Sequence, residues 1–237
     1  MTRKLLILLC TLGTSGALAE EISIAPARMA RVATIDARFQ SYNIEMVEVT
    51  GGRFWKPYGS SAFDASDKYA YRAPIDLTNA RLRKLAAALA PAYVRVSGTW
   101  ANATYFADSD HPPSAPPAGF NEVLTRRQWK SVVDFSRAVG ADIVTSFAVS
   151  RGTRDAAGAW TPDQALHLLG YTAAIGGRIA AAEFMNEPDV AVTGVLPEGY
   201  DAAAYWRDFA SFRSFVKQQA PEIMLLGPGD GRYNGCS

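Results

Sequence analysis

One stretch decides the fold, Arg178-Ile-Ala-Ala-Ala-Glu-Phe-Met-Asn-Glu-Pro-Asp189, because a short apolar run ends there in Asn186-Glu187-Pro188. An apolar run of this length, entered from Gly176-Gly177, is typical of a buried strand rather than a helix. Pro188 cannot donate to a strand ladder and biases Glu187 away from helical angles, so we expect the strand to stop there. The sequence therefore predicts a carboxylate and a neighbouring amide at the exit of a buried strand, where α/β proteins place their chemistry.

Strand and helix patterns alternate on both sides of this stretch. Strands are predicted at 39–49, 92–97, 142–149, 178–187 and 222–227, and helices at 77–90, 126–139, 161–175 and 201–220. The first two helices are indicated by apolar stripes at helical spacing, namely Leu82, Leu85, Ala86 and Leu89, and Trp129, Val132, Val133 and Val139. A strictly alternating order predicts a parallel sheet with right-handed crossovers.

The connections between these elements differ in length. Strand-to-helix connections are long, at 50–77, 98–124, 150–160 and 188–200, whereas helix-to-strand connections are tight. Long loops at the carboxyl ends of strands form the ligand face of a (β/α) barrel or of an open α/β sheet. Glu187 is expected on that face.

Two helices have recognisable start signals. Thr161-Pro162-Asp163-Gln164 combines a capping threonine, a first-turn proline and a glutamine that can complete a capping box. Asp201 can cap the last helix in the same way. Both residues are therefore predicted N-caps.

The first 19 residues are typical of a secretory signal peptide. Arg3 and Lys4 form a basic start, Leu5 to Leu12 an apolar core, and Ala17-Leu18-Ala19 a small-residue cleavage site. We therefore expect a secreted or periplasmic protein. Residues 20–35 carry mixed apolar and polar residues and predict an irregular edge strand, and 36–237 form the predicted catalytic domain.

Composition excludes several function classes. Without Arg3 and Lys4, the 24 basic residues become 22 against 23 acidic ones, a net charge of −1 that does not favour nucleic acid as a partner. No stretch is long and apolar enough to predict a membrane span. Cys236 is the one cysteine beyond the predicted signal, and His111 and His167 are the only histidines, so neither an intrachain disulfide nor a metal site is predicted.

The carboxylate of Glu187 suits the acid/base role in a glycosidase. Such enzymes use two carboxyl groups, one to protonate the leaving oxygen and, in retaining enzymes, one to attack the anomeric carbon. Strict strand alternation would point Asn186 and Glu187 to opposite faces, so both can serve only if the strand has already bent. The alternative is a strand-ending glutamate with an N-cap-like asparagine before it, and no chemical role for either.

Several segments together resemble the heparanase and β-glucuronidase branch of glycoside hydrolase family 79. The similarity covers most of 35–230 and is carried by Leu85–Thr99, Arg151, Trp160, Ala165, Leu168-Leu169, Tyr171 and Glu183-Phe-Met-Asn-Glu-Pro188. The resemblance implies a secreted retaining enzyme that cleaves β-linked glucuronides in oligo- or polysaccharides without a cofactor. It implies a (β/α)8 barrel, with Glu187 as acid/base and residues 20–35 as a strand of a β-sandwich.

Three further positions carry over from the family. Asn186 would hold a substrate hydroxyl or orient the acid, Glu45 would line the substrate cleft, and Thr99 matches a cleft threonine. The segment before Thr99 is Val-Ser-Gly in place of the expected glycine pair. The family nucleophile follows the seventh barrel strand, whereas a barrel takes about 250 residues and only five strands are predicted here, so no residue inherits that role.

Other residues have less specific interpretations. Glu183 lies four residues before Glu187, roughly 13 Å along a strand, which is too far for a retaining pair and predicts an inward structural acid paired with Arg95. Aromatic residues on the long loops could stack on sugars or anchor the loops, namely Trp55, Tyr58, Trp100, Tyr105 and Phe106. Asn102-Ala-Thr104 is a glycosylation sequon.

The alternatives remain open at this stage. The fold is either an open five-stranded sheet or a barrel cut off after its fifth strand. The chain is either the acid/base-bearing part of a glycosidase or a non-catalytic carbohydrate-binding or remnant protein. An open-sheet oxidoreductase or nucleotide-binding protein is a third hypothesis, which the lack of a glycine-rich fingerprint weighs against. Oligomeric state is not predicted.

Overall fold

The computed structural model describes residues 24–57, 59, 67–191, 195–229 and 231. The chain divides into two units between Ile35 and Asp36, and each is described by itself. The predicted signal peptide, 1–19, lies outside the described residues, as does Tyr58.

The first unit contains little regular structure between residues 24 and 35. A single 3-10 turn spans Pro26–Arg28, and all twelve side chains of this segment are exposed. The edge strand predicted for 20–35 is therefore not formed in its described part. A strand requires a neighbouring strand for its backbone hydrogen bonds, and no strand pairing is found for residues 24–35.

The second unit alternates strands and helices. In chain order its elements are β1 (Tyr42–Glu45), α1 (Met46–Thr50), β2 (Gly52–Trp55), β3 (Tyr69–Arg72), α2 (Ala80–Ala87), β4 (Ala92–Ser97), β5 (Thr104–Ala107), β6 (Glu122–Thr125), α3 (Arg126–Val139), β7 (Ala141–Ser146), α4 (Asp163–Ala174), β8 (Ile179–Glu183), α5 (Pro188–Ala191), α6 (Ala202–Gln219) and β9 (Met224–Leu226). Short 3-10 turns add Ala37–Phe39, Thr99–Ala103 and Arg151–Thr153.

A five-stranded parallel sheet forms the centre of this unit, in the order β1-β4-β7-β8-β9. The spatial order equals the chain order, and α2 packs against α3 and α3 against α4. The predicted α/β class and parallel sheet are confirmed. A doubly wound sheet reverses its strand order at the point where nucleotides bind, and the described sheet contains no such reversal.

Helix α1 replaces the second half of the first predicted strand. The strand expected over 39–49 ends at Glu45, and Met46–Thr50 are helical. The Glu48 carboxylate accepts a hydrogen bond from the backbone N–H of Glu45 at 3.0 Å, which stabilises the first turn of α1. This local contact decides against a longer strand.

The two longest of the predicted loops contain short strands. β2 and β3 form an antiparallel pair within 50–77, and β5 and β6 form a parallel pair in the loop predicted for 98–124, where β6 extends one residue beyond it to Thr125. Cross-strand aromatic contact accounts for the first pair, since the rings of Trp55 and Tyr69 lie 4.7 Å apart. The loops on this face are therefore partly ordered as β-structure.

The predicted apolar stripes of the helices agree with the structure to different degrees. In α3 the whole predicted stripe is buried, and its C-cap Gly140 adopts a left-handed φ of 67°. Helix α2 is shorter than predicted, and Leu85 on its stripe is 62% exposed while Leu89 lies beyond its end. The stripe of α2 is therefore only partly confirmed.

One of the two predicted N-caps is confirmed. The side chain of Asp201 accepts a hydrogen bond from Ala204 N at 2.8 Å. The capping box at Thr161 is wrong, because α4 begins later, with Pro162 at its N-cap. The Thr161 hydroxyl donates to Thr153 O at 3.2 Å, and Gln164 Oε1 accepts from Phe106 N at 2.7 Å. Both side chains thus form hydrogen bonds with the backbone of other segments and do not cap α4.

Within the described residues no helix is both apolar and long enough to cross a membrane.

Helix α6 is held by an aromatic cluster beneath β8. Phe212 is fully buried, and its ring lies 5.2 Å from Phe184 and 5.8 Å from Trp160. We predict that Phe212→Ala lowers the free energy of unfolding by about 3–5 kcal/mol, because it leaves a cavity in a packed core. Phe39→Ala removes a ring that is 72% exposed and is the matched control, with a loss under about 1 kcal/mol. Urea denaturation measures both, and similar losses would contradict the packing described.

Candidate active site

Glu187 lies where the chain turns sharply after β8. The strand ends at Glu183, and Glu187 has a φ of 45°, a left-handed value that is uncommon for a residue with a side chain. This bend meets the condition set by strand alternation, because the side chains of Asn186 and Glu187 now point to the same place. They are joined by a hydrogen bond of 3.0 Å.

Two side chains donate to a single oxygen of Glu187. The Asn186 amide donates to Oε2 at 3.0 Å, and the Thr99 hydroxyl donates to the same oxygen at 3.2 Å. Asn186 Nδ2 also donates to Thr99 Oγ1 at 3.2 Å, so the three predicted site residues form one hydrogen-bonded triangle. No hydrogen bond to Glu187 Oε1 is found within the described part of the chain. In the acid form the proton therefore belongs on Oε1.

Arg95 determines which way the Asn186 amide points. Its guanidinium donates to Asn186 Oδ1 at 2.7 Å, so the amide nitrogen is turned toward Thr99 and Glu187. The same guanidinium pairs with Glu183 through two of its nitrogens, one of them Nε at 3.0 Å. The predicted pairing of Glu183 with Arg95 is confirmed. Glu183 is thus a structural acid that holds the cation which orients Asn186.

Asn102 fixes the backbone next to the catalytic candidate. Its amide donates to Asn186 O at 2.8 Å and accepts from Asn186 N at 3.0 Å. The side chain is 0% exposed, so the sequon at this position cannot be glycosylated in the folded protein. Sequence reasoning missed this role, because the two residues lie 84 positions apart and no local pattern connects them.

Glu45 joins the site from the end of β1. Asn43 Nδ2 donates to Glu45 Oε1 at 2.9 Å, and Arg95 Nη1 donates to Asn43 Oδ1 at 2.8 Å. Burial raises the pKa of Glu45 most strongly, the Asn43 hydrogen bond and Arg95 oppose this, and the charges of Glu48 and Glu187 raise it further. The structure therefore brings all four predicted site residues to one edge of the sheet.

Gly98 leaves room for the carboxylate of Glu45. A Cβ atom at this glycine would lie 1.6 Å from Glu45 Oε2, and its φ of 97° is unfavourable for any other residue. The Ser97-Gly98 segment, which departs from the expected glycine pair, keeps its glycine where the acid needs space. Ser97 takes a different part, since its hydroxyl donates to Glu183 Oε1 at 2.7 Å.

A cleft of about 550 Å³ opens beside Glu187 and Thr99. Trp55, Tyr69 and Trp100 form its aromatic wall, with Trp100 edge-on to Tyr69 at 6.1 Å. Two other predicted loop aromatics lie elsewhere, since Phe106 is part of the core and Tyr105 packs against Phe120. The cleft therefore combines a carboxyl group with flat apolar surfaces.

Gly231 contacts Glu187 from the side of β9. A Cβ here would lie 2.8 Å from Glu187 Cγ, and the Gly231 N–H donates to Asp189 Oδ1 at 2.9 Å. The contact limits the positions open to the Glu187 side chain. Sequence reasoning did not single out this glycine.

The chemistry available to this site is proton transfer and polar recognition. Glu187 offers a carboxyl group with one oxygen fixed by two donors, while Asn186, Thr99 and Glu45 supply hydrogen-bonding groups around it. No group of three His, Cys, Asp or Glu side chains that could hold a metal ion is found among the described residues.

Replacing Gly98 should disturb Glu45 directly. We predict that Gly98→Ala costs more stability than Gly158→Ala by about 1–3 kcal/mol, because only the former meets a side chain. Gly158 is the matched control, since its φ of 79° carries similar backbone strain while its Cβ position faces open space. Urea denaturation of the two variants tests this, and equal losses would show that Glu45 does not depend on the glycine.

The raised pKa of Glu45 predicts a pH-dependent stability difference. The folded state favours the protonated carboxyl, so its ionisation destabilises the fold as pH rises above the ordinary glutamate pKa of about 4.3. Relative to Glu45→Gln, the wild-type free energy of unfolding should fall through the interval between that value and the higher folded pKa, then level off. Denaturation between about pH 4 and 7 measures it, with the exposed Glu222→Gln as control. If the wild-type protein instead became more stable relative to Glu45→Gln as pH rises, the burial of Glu45 would be contradicted.

Comparison with known proteins adds nothing to this geometry, which is therefore the basis for assigning a function. A scan against protein-family models and a search of curated proteins found no match to the chain.

Proposed function

We propose that Glu187 is the acid/base of a secreted retaining β-glycosidase that acts on β-linked glucuronides. One observation carries the proposal, namely that Glu187 stands at the bent exit of a parallel strand with Asn186 and Thr99 both bonded to its Oε2. This leaves Oε1 to carry the proton, beside a cleft with aromatic walls. The resemblance of the sequence to glycoside hydrolase family 79 supplies the substrate class.

In the first step of the proposed reaction Glu187 donates its proton to the glycosidic oxygen as the bond to the anomeric carbon breaks. A second carboxylate attacks that carbon and forms a glycosyl-enzyme. Glu187, now ionised, then takes a proton from water, which hydrolyses the intermediate. The nucleophilic carboxylate is not assigned to any residue that the structure describes.

The hydrogen bonds around Glu187 suit both of its protonation states. Donors on Oε2 stabilise the carboxylate that remains after the first step, and they hold the carboxyl plane while Oε1 gives and later takes the proton. Thr99 can also turn its hydroxyl to a substrate hydroxyl when a sugar enters, while Arg95 keeps the Asn186 amide directed at Glu187. Positioning of this kind is a large part of acid/base catalysis.

We propose further that the five-stranded sheet is part of a (β/α)8 barrel. Strands that follow one another in space as they do in the chain support it, because a barrel is wound in one direction. The exposed side chains of Met224 and Leu226 also support it, since both lie on one face of β9, which the further strands and helices of a barrel would cover. The β-sandwich implied by the family has no counterpart among the described elements.

A second candidate is carbohydrate binding without turnover. The aromatic wall of Trp55, Tyr69 and Trp100 favours it, because flat rings bind sugar faces without any chemistry. On this candidate the protein binds glucuronides and leaves them intact.

The decisive experiment measures binding and turnover in the same preparations. A glucuronic-acid-configured iminosugar should bind by calorimetry, and Glu187→Gln should weaken it about tenfold or more because a charged hydrogen-bond partner is lost. The exposed Glu198→Gln is the matched control and should change nothing. An aryl β-glucuronide is the turnover probe.

The outcomes separate the two candidates. Turnover that Glu187→Gln abolishes would show a complete active site and refute the binding-only candidate. Binding that depends on Glu187 without turnover supports an acid/base half-site. If the iminosugar does not bind, or binds both proteins equally, the proposed function is wrong.

A further inference from the structure

The chain that follows β9 passes directly beside Glu187. A Cβ atom at Gly231 would lie 2.8 Å from Glu187 Cγ, 2.9 Å from Glu187 Cδ and 2.8 Å from Val190 Cγ2. These distances are too short for non-bonded carbon atoms. The φ of Gly231 lies outside the left-handed range, so a special backbone conformation is not the reason for the glycine. The side chains of Glu187 and Val190 are the reason.

Gly229 lies in the same segment without such a contact. Among the described residues only one atom, Glu183 Oε2, would lie within 4 Å of a Cβ atom placed there, and its distance of 3.9 Å is an ordinary van der Waals contact. The φ of Gly229 is not left-handed either. Gly229 can therefore carry a methyl group, whereas Gly231 cannot do so unless Glu187 moves.

Asp189 attaches this segment to the turn that carries Glu187. Its Oδ1 accepts a hydrogen bond from the Gly231 N–H at 2.9 Å. Asp189 lies in the first turn of α5, and the N–H of Val190 donates to Glu187 O at 3.0 Å. Helix α5 and Glu187 thus form one tight turn, and Asp189 fixes the backbone of Gly231 against it.

Two kinds of contact therefore act on the Glu187 side chain. The donors Asn186 and Thr99 fix its Oε2, at 3.0 and 3.2 Å. The backbone of Gly231 lies beside its Cγ and Cδ atoms, which change position whenever the side chain adopts another staggered rotamer. The first contact fixes one oxygen, and the second restricts the carbon chain that carries it. A group that transfers protons needs a restriction of this kind.

We propose that Gly231 and Asp189 are positioning residues for Glu187. Asp189 holds the backbone of Gly231 in place, and the contact with Gly231 keeps Glu187 in the rotamer whose Oε2 accepts from Asn186 and Thr99. The proposal rests on the proposed function only for the purpose of this rotamer, which is to present Oε1 to a glycosidic oxygen. The acid would then be correctly placed only when the chain after β9 is packed against the end of β8.

The first test is a double-mutant cycle on stability, which needs no ligand. Gly231→Ala places a methyl group against Glu187, so we expect it to lower the midpoint of urea unfolding, whereas the matched control Gly229→Ala does not. Glu187→Ala removes Cγ and Cδ, and in that background Gly231→Ala should lose most of its effect. Contact with Val190 accounts for the part that persists, and Val190→Ala measures it. If Gly231→Ala does not fold alone, recovery of the fold by Glu187→Ala gives the same answer.

The second test measures binding of the glucuronic-acid-configured iminosugar by calorimetry. We expect Gly231→Ala to weaken binding about tenfold and Gly229→Ala to leave it unchanged. Asp189→Asn keeps an oxygen acceptor for the Gly231 N–H and should retain the affinity, whereas Asp189→Ala removes the acceptor and should weaken binding severalfold. In the Glu187→Ala background neither Gly231→Ala nor Asp189→Ala should weaken binding further, because the group that they position is missing.

The outcomes distinguish this proposal from the proposed function. Equal effects of Gly231→Ala with and without the Glu187 side chain would overturn the positioning role, as would failure to fold in both backgrounds. Binding that depends on Glu187 but does not respond to Gly231→Ala would overturn it too. If the iminosugar does not bind the wild-type protein while the stability cycle shows coupling, the proposed function is wrong, and Gly231 still holds Glu187 in its rotamer.

Discussion

The geometry of the site depends on the ion pair between Arg95 and Glu183 in the middle of the parallel sheet. The Glu183 side chain is only 11% exposed, and a buried carboxylate without a cation is costly. Once Arg95 satisfies it, the remaining donors of the guanidinium reach Asn43 and Asn186. The first donates to Glu45, and the second donates to Glu187. One guanidinium therefore connects both carboxylates at the edge of the sheet.

The strained backbone of Glu187 persists because its neighbours hold it from several sides. A left-handed conformation at a residue with a side chain costs of order 1–3 kcal/mol and persists only where the surrounding structure holds it. Asn102 binds both polar backbone atoms of Asn186, and Gly231 lies against the Glu187 side chain. These contacts come from the loops after β4 and β9, so the bend at Glu187 belongs to the assembled unit and not to its local sequence.

The sequence predicts those parts of the fold that depend on local pattern. Strands β4 and β7 and helix α3 follow from apolar runs and stripes, and the edge on which Glu187 lies follows from loop lengths. The wrong predictions arise where distant groups compete for a local signal. Gln164 has the spacing of a capping box but accepts from Phe106 N. The loops were misjudged in the same way, because β2 forms only by pairing with β3 across a long connection. At Asn102 the local sequence shows only a sequon, because its hydrogen-bond partner, Asn186, lies 84 positions away.

The hydrogen-bond donors around Glu187 determine which of its two carboxyl oxygens can carry a proton. Asn186 has two amide hydrogens, one donated to Thr99 Oγ1 and one to Glu187 Oε2, while Thr99 donates its single hydroxyl hydrogen to the same carboxylate oxygen. Arg95 occupies Asn186 Oδ1, so the amide cannot turn around without losing a charged hydrogen bond. All hydrogens in this relay therefore point toward Oε2, and none remains for Oε1. A proton carried by Glu187 must then lie on Oε1. Transfer of a proton from this oxygen leaves every other hydrogen bond of the relay in place.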